Sequence, residues 1–261
     1  MHKVALISIG NELLEGRFPD SNAYWLARYI FKLGGGVSLF LSLPDIVAEI
    51  VAGLTYAHHR GATILITTGG LGPTIDDQTV EAVAEFAGLE CVYNTALLKE
   101  IERKYRSLFE IGAVDFPELN DARRKMAELP LGAEALANSE GISPGIQMKL
   151  EWGWIFALPG VPAEMEAIFS QSIEPHLKSI FSGQLIKTRL VETSYRDESL
   201  LAPLISRIMT EIPGIYAKSQ SQSFSPHLTL KVHFTARADN EAEAQRILDK
   251  AVSILYCGYD P

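Results

Sequence analysis

The stretch Thr67-Thr68-Gly69-Gly70-Leu71-Gly72-Pro73-Thr74-Ile75-Asp76-Asp77-Gln78-Thr79 gathers three glycines, four threonines and two adjacent aspartates into thirteen residues. Glycines let a backbone come close to a phosphate or a ring, and a following helix offers unpaired N–H groups and a partial positive charge. Thr74 and Thr79 add hydroxyls, and Asp76 with Asp77 could hold a hard divalent cation that bridges carboxylate and phosphate oxygens. The competing reading is a tight turn whose aspartates cap the next helix. The loop carries no GxxxxGK[ST] and no GxGxxG, so it is neither a Walker A loop nor a Rossmann fingerprint.

Three further segments carry polar groups beside glycine or proline. Ser8 to Gly16 contains Gly10, Asn11 and Glu12, and is followed by Arg17, Asp20, Ser21 and Asn22. Glu12 is a candidate ligand for a metal or hydroxyl, and Asn22 for a base, amide or ribose. Arg17 is the basic residue best placed near this segment, with a solvated loop arginine as the alternative. Asn138 to Gly145 holds Gly141 and Ser143, and Leu158 to Glu166 holds Pro159, Gly160, Pro162 and Glu164. Glu164 and Glu166 could bind a cation or act as bases, or simply favour a helix N-terminus through its dipole. Asp45 reads equally as a rim ligand or a helix cap. His58 and His59 fall late in a helix, where positive charge is favourable. His176, His227 and His233 have no ligand-spaced partner, and no GxSxG occurs. Trp25, Trp152 and Trp154 read as packing.

These segments need a scaffold, and the hydrophobic pattern supplies one. Lys3 to Ile9, Val37 to Leu43 and Ala62 to Thr68 are strand-like runs, separated by helical patterns over 22–33 and 46–59 and followed by one over 78–87. Ser21 is the expected cap of the first helix. Strand and helix alternating at these loop lengths predict a mostly parallel, doubly wound α/β sheet with ligands at the strand carboxyl ends. Further on, 96–109 and 117–127 read as helices, 135–138, 145–150 and 154–158 as strands, and Pro162 to Ile180 as a helix. Past Ser182-Gly183, strands at 185–194 and 227–236 alternate with helices at 198–210 and 240–255. That pattern suggests a small α+β domain, with domains at 1–182 and 183–261. The segment 100–128 offers no periodicity that assigns it a role.

Forty-seven per cent hydrophobic residues and 21% charged ones suit a globular chain of 261 residues. A net charge of −9 argues against a duplex nucleic-acid partner. The two cysteines, Cys91 and Cys257, form no CxxC pair and read as packed thiols of a reducing compartment. No apolar run is long enough for a transmembrane helix, and none resembles a signal peptide. The expectation is a cytoplasmic protein without membrane partners.

The motifs GGLGPTxDDxT, IGxELLxG and PGVPxEM, in this order, resemble the nucleotide-binding domain of the CinA family of competence/damage-inducible proteins, within the MoaB/Mog (molybdopterin-binding-like) superfamily. The resemblance spans roughly 3–180 and extends to the small C-terminal module. It implies a three-layer α/β/α fold, a homodimer, and a pocket for a nucleotide or pterin. It also implies a divalent-metal-dependent pyrophosphatase on ADP-ribose or a related dinucleotide, with magnesium, manganese or cobalt and a monovalent cation as candidate ions. Asp76, Asp77 and Glu12 would then be catalytic, with the metal on Asp76 and Asp77. Gly10, Asn11, Arg17, Asn22, Asp45, Gly69, Gly70, Leu71, Gly72, Pro73, Thr74 and Thr79 would contact substrate. Gly141, Ser143, Gly145, Pro159, Gly160, Pro162 and Glu164 would complete that pocket. The alternative is a molybdopterin- or nucleotide-binding or transfer protein of molybdenum cofactor biosynthesis. A regulatory protein without catalysis is a third reading, since Asn11 stands where the family commonly has Asp. Ile142 and Ser143 also depart from the usual GTAPG. The chain ends at Pro261, so the family's nicotinamide-mononucleotide deamidase domain, and that activity, are not expected.

Overall fold

A run of six apolar or small residues, Val4–Ile9, forms strand β1 and is buried at every position. Such a strand must be covered on both faces, as the centre of a parallel sheet is. A computed structural model describes residues 2–183, 185–220 and 229–257. In chain order its first half contains α1 (Asn11–Leu14), α2 (Ser21–Lys32), β2 (Val37–Leu43), α3 (Val47–His59), β3 (Ile64–Thr68), α4 (Thr79–Ala87), β4 (Cys91–Tyr93), α5 (Thr95–Glu110), α6 (Asp121–Lys125) and β5 (Glu128–Pro130). Then come β6 (Glu134–Leu136), β7 (Gly145–Leu150), β8 (Gly153–Leu158), α7 (Pro162–Ile168), a π-helical segment Phe169–Ile173 and α8 (Glu174–Ile180). The remainder comprises β9 (Leu185–Glu192), α9 (Glu198–Glu211), β10 (Ile215–Gln220), β11 (Lys231–Ala238) and α10 (Glu241–Cys257).

The chain divides into two compact units, residues 1–31 with 35–180, and residues 32–34 with 181–261. In the first, a six-stranded sheet has the order β2-β1-β3-β8-β7-β6. β2, β1, β3 and β8 run parallel, while β7 pairs antiparallel with β8 and with β6. Ala5, Ile7 and Ile9 pack with Ile50, Leu54 and Ala57 of α3 and with Ala82 and Val83 of α4 on one face. The intervening Val4 and Leu6 are equally buried, as are Leu26 and Ile30 of α2 and Met165 and Ile168 of α7. Helix, sheet and helix form the three layers of this mostly parallel α/β unit.

The second unit is an antiparallel sheet β10-β11-β9. Val232, Phe234 and Ala236 of β11 share a core with Leu201, Ile205 and Ile208 of α9 and Leu248 and Leu255 of α10. The α+β pattern expected there is present, and Asn240 caps α10 through a 2.9 Å bond from Glu243 N–H. The strand starts at Lys231; His227 and Leu228, where the pattern placed its beginning, lie outside the described residues.

Several expectations need correction. Ser21 is the first residue of α2, and Asp20 does the capping, accepting from Ala23 N–H at 2.9 Å. The helix from Pro162 is not continuous but passes through the π-helical segment. A ribbon of β4 and β5 flanks the helices of the middle segment, where no strand was expected. Both cysteines are exposed, not packed: Cys91 on a short strand that pairs on one side only, Cys257 at the end of α10. The tryptophans do pack: Trp25 stacks on Tyr29 with Phe169 edge-on, and Trp152, in the β7–β8 turn, lies 4.2 Å from the His58 ring.

Candidate functional site

The carboxyl ends of four parallel strands lie side by side, with Ile9 opposite Leu43 and Thr68 opposite both Ser8 and Leu158. The chain leaves β1 for β2 on one side and returns to β3 on the other, so the sheet changes direction between β1 and β3. Open α/β sheets form their ligand crevice there. Gly10, Asp45, Gly69 and Pro159-Gly160 all sit just past these ends. Gly10 N–H donates to Leu43 O at 3.1 Å and Gly69 N–H to Leu158 O at 2.9 Å, which ties the rim together.

The glycine loop is fixed from beneath. Gly69 adopts φ +100°, and a Cβ there would sit 2.1 Å from the Ile9 carbonyl oxygen. Thr79 is fully buried and its hydroxyl donates to Gly69 O at 2.8 Å, so it holds the loop and does not reach toward a ligand. Leu71 buries its side chain among Leu97, Ile101 and Ile146, an anchor whose backbone lines the site.

Above the loop is a cavity of about 420 Å³ lined by Gly10, Glu12, Asp45, Gly69 to Pro73, Asp76, Asp77, Ser143, Pro159, Gly160, Val161 and Glu164. A second cavity of about 300 Å³ shares Ile9, Glu12 and Gly160 with it and continues to Phe18, Asp20, Asn22 and Pro162. The two form a two-lobed cleft. Among the described residues, no lysine, arginine or histidine lines either lobe. Arg17 is not on the rim; it is exposed and pairs with Glu15 at 2.5 Å. Asn11 contributes its backbone N–H, which donates to Asp45 Oδ2 at 2.8 Å. Thr74, Gly141 and Gly145 shape the walls without lining them.

Asp76 and Asp77 do not cap α4, whose N-cap residue is Gln78 without a side-chain bond. Asp77 Oδ2 instead accepts from Thr74 N–H at 2.8 Å and Thr74 Oγ1 at 2.6 Å, and the same hydroxyl contacts Asp76. That Thr74 bond, with Lys125 nearby, holds the Asp76 carboxyl below its ordinary value. Gln78 accepts from Val47 N–H at 3.0 Å at the start of α3, which leaves Asp45 to turn toward Asn11. Burial pushes the Asp45 carboxyl up, the Asn11 N–H opposes this, and the charges of Glu12, Asp76 and Asp77 add to the rise.

An acid whose folded-state pKa lies above its unfolded value destabilises the fold once ionised. Asp45→Asn is therefore expected to raise Tm at pH 7. The gain should shrink as pH falls through the raised Asp45 value and vanish below the ordinary carboxylate range. A gain that persists at low pH in thermal melts would refute this origin.

Two lysines that pattern reading passed over position the loops. Lys125 Nζ donates to the carbonyls of Thr74 and Asp77, each at 2.6 Å. Lys104 Nζ donates to those of Asn138 and Gly141 at 2.6 and 2.8 Å. Both come from the 100–128 segment that periodicity left without a role. Asn138, which opens the candidate segment 138–145 but was given no role of its own, is 3% exposed. Its Oδ1 accepts from Glu140 and Gly141 N–H at 3.0 and 2.9 Å, and its Nδ2 donates to Ser143 O and Glu164 Oε2 at 2.7 and 2.6 Å. Glu164 is thus committed to the Asn138 loop. The oxygen donors are of the right hardness for a divalent cation. Yet among the described residues no group of three or more His, Cys, Asp or Glu is gathered closely enough to hold a metal ion, and Thr74 occupies Asp76 and Asp77. The metal shell is not preassembled.

Comparison with known proteins places this geometry. The family described as "Probable molybdopterin binding domain" matches residues 5–179. A protein of Pyrobaculum arsenaticum is 38% identical over 96% of this chain and 92% of its own length. One of Pyrococcus furiosus is 40% identical over 77% of this chain and 78% of its own. Among solved structures, the CinA protein of unknown function from Thermoplasma acidophilum is 30% identical, with a TM-score of 0.61, covering 67% of this chain and 97% of that one.

Proposed function

We propose a function from the premise that this chain belongs to the molybdopterin-binding-domain family: its two-lobed cleft binds a phosphorylated pterin or nucleotide. The observation that carries this is the glycine loop, held by Thr79 and Lys125 at the point where the sheet changes direction, ahead of the N-terminus of α4. With no basic side chain among the described residues lining the cleft, backbone N–H groups of the loop are the donors offered to phosphate oxygens. The family's description names binding, which supports this reading over hydrolysis. A homodimer, implied by the resemblance, belongs to the same proposal.

Metal-dependent cleavage of ADP-ribose or a related dinucleotide is the second reading. It is favoured by the carboxylates of Glu12, Asp45, Asp76 and Asp77 around the phosphate lobe; burial raises the Asp45 pKa, and the charges of the other three add to the rise. An anionic ligand meets that field, and a cation would relieve it. A bound ion would supply charge neutralisation; the chain's own part is to orient the phosphates on the loop.

One panel separates the readings. Thermal unfolding is followed with AMP, ADP-ribose, FAD, NAD, ATP and a pterin phosphate, with magnesium, manganese or cobalt and with chelator, while cleavage to the nucleoside monophosphate is monitored in parallel by chromatography. Binding without turnover is expected, with about 2.7 kcal/mol of added stability at a ligand concentration a hundred times Kd. Cleavage that needs the metal and is lost in Asp77→Asn would instead establish the hydrolase. Neither stabilisation nor cleavage by any member would overturn both readings.

A further inference from the structure

The second lobe of the cleft exposes proportionally less polar surface than the first. Its polar atoms include the carboxylates of Glu12 and Asp20, and its walls include Leu13, Phe18 and Pro162. Among the described residues, none of Gly69 to Gly72, whose backbone N–H groups are the donors offered to phosphate, lines it, so this lobe is left for the rest of the ligand. At its edge Asn22 is 8% exposed. Asn22 Nδ2 donates to the Gly160 carbonyl at 2.8 Å. A carbonyl oxygen only accepts, so this bond fixes which end of the amide is which. Asn22 Oδ1 is therefore the end left over, and it is buried without a hydrogen-bond partner among the described residues. A buried acceptor without a partner is costly, and native structures carry few of them.

We infer that this lobe receives the hydrogen-bond-donating edge of a flat amino-heterocycle, with Asn22 Oδ1 as the acceptor that selects it. The inference rests on the ligand-binding reading of the cleft and adds to it which part of the ligand goes where. Phosphate lies on the glycine loop, and the amino-bearing ring lies between the apolar walls beside Asn22. A purine with an exocyclic amine and a 2-aminopterin share this chemistry. A ring that offers only acceptors to Oδ1 leaves that oxygen unpaired and is rejected.

The test is calorimetric, on the full chain without added metal, with four probes. AMP is compared with purine riboside 5′-monophosphate, which lacks the amine, and pterin with pteridin-4-one, which lacks the 2-amino group. The wild type is expected to bind one amino-bearing member about tenfold to a hundredfold tighter than its counterpart, and the pair that does so identifies purine or pterin as the source. In Asn22→Leu, and in the smaller Asn22→Ala, both of which remove the acceptor, the preference should collapse to within about twofold. Thermal melts check that each variant folds; the wild-type comparison stands without them. Equal binding of both members of each pair by the wild type, or a preference kept in a folded variant, overturns the assignment while leaving the ligand-binding reading intact. Binding of none of the probes, together with silence in the dinucleotide panel, overturns both.

Discussion

Gly69→Ala is expected to cost about 3 kcal/mol of unfolding free energy and to abolish stabilisation by ligand. Two effects add. An L side chain at φ +100° is strained, at about 1–2 kcal/mol. The new Cβ would also lie 2.1 Å from Ile9 O, a backbone atom of β1, which is paired on both sides and cannot rotate away. Overpacking of this kind costs about 1–3 kcal/mol, and the relief available is a shift of the loop away from β1. That shift breaks the Thr79 bond to Gly69 O and widens the crevice, which is why binding suffers beyond stability. Gly88→Ala is the control. Gly88 has φ +68° at the end of α4 with nothing within 4 Å of a Cβ, so it bears strain alone. Urea titrations of both variants should separate by more than 1 kcal/mol. Equal midpoints would mean that the contact with Ile9 carries no energy.

Asn138→Ala is expected to cost about 2–4 kcal/mol and to weaken ligand binding at least tenfold. The side chain makes four hydrogen bonds from a buried position, one of them to a carboxylate. Bonds to charged groups contribute about 1.5–3 kcal/mol, and a buried group left unpaired costs more than the bond was worth. Glu164 is the group left behind. Removing its charge as well, in Asn138→Ala with Glu164→Gln, should recover part of the loss, which a double-mutant cycle reads directly. Losses that simply add would show that the two side chains do not act together.

The parallel core and the rim were legible because their causes are local. β1 and β3 are apolar on both faces, and each is followed by glycine, so strand ends and crevice could be located from pattern alone. Burial at successive positions does not reveal strand direction. The antiparallel run of β6, β7 and β8 and the ribbon of β4 with β5 depend on pairing across 34 to 38 residues or on a short turn. Asp45 and Gln78 look like neighbours of helix starts, and their exchange of roles appears only when α3 and α4 are packed together. Lys104 and Lys125 were invisible for another reason. Both are charged residues on amphipathic helices, and a bond to a carbonyl leaves no complementary residue type to recognise. Arg17 shows the converse error, a charge near the rim in sequence that satisfies itself with Glu15.

The two lysine clamps have a consequence for how this cleft can diversify. Each ammonium grips main-chain oxygen atoms, which every residue possesses, so the grip is indifferent to the identity of the side chains in the loop it holds. Ile142 and Ser143, the two places where the chain departs from the usual family wording, fall just past the Lys104 attachment at Gly141. A lineage can therefore exchange the residues that meet the ligand while the shape of the loop is inherited unchanged, and new specificities become reachable by single steps that do not first unfold the site.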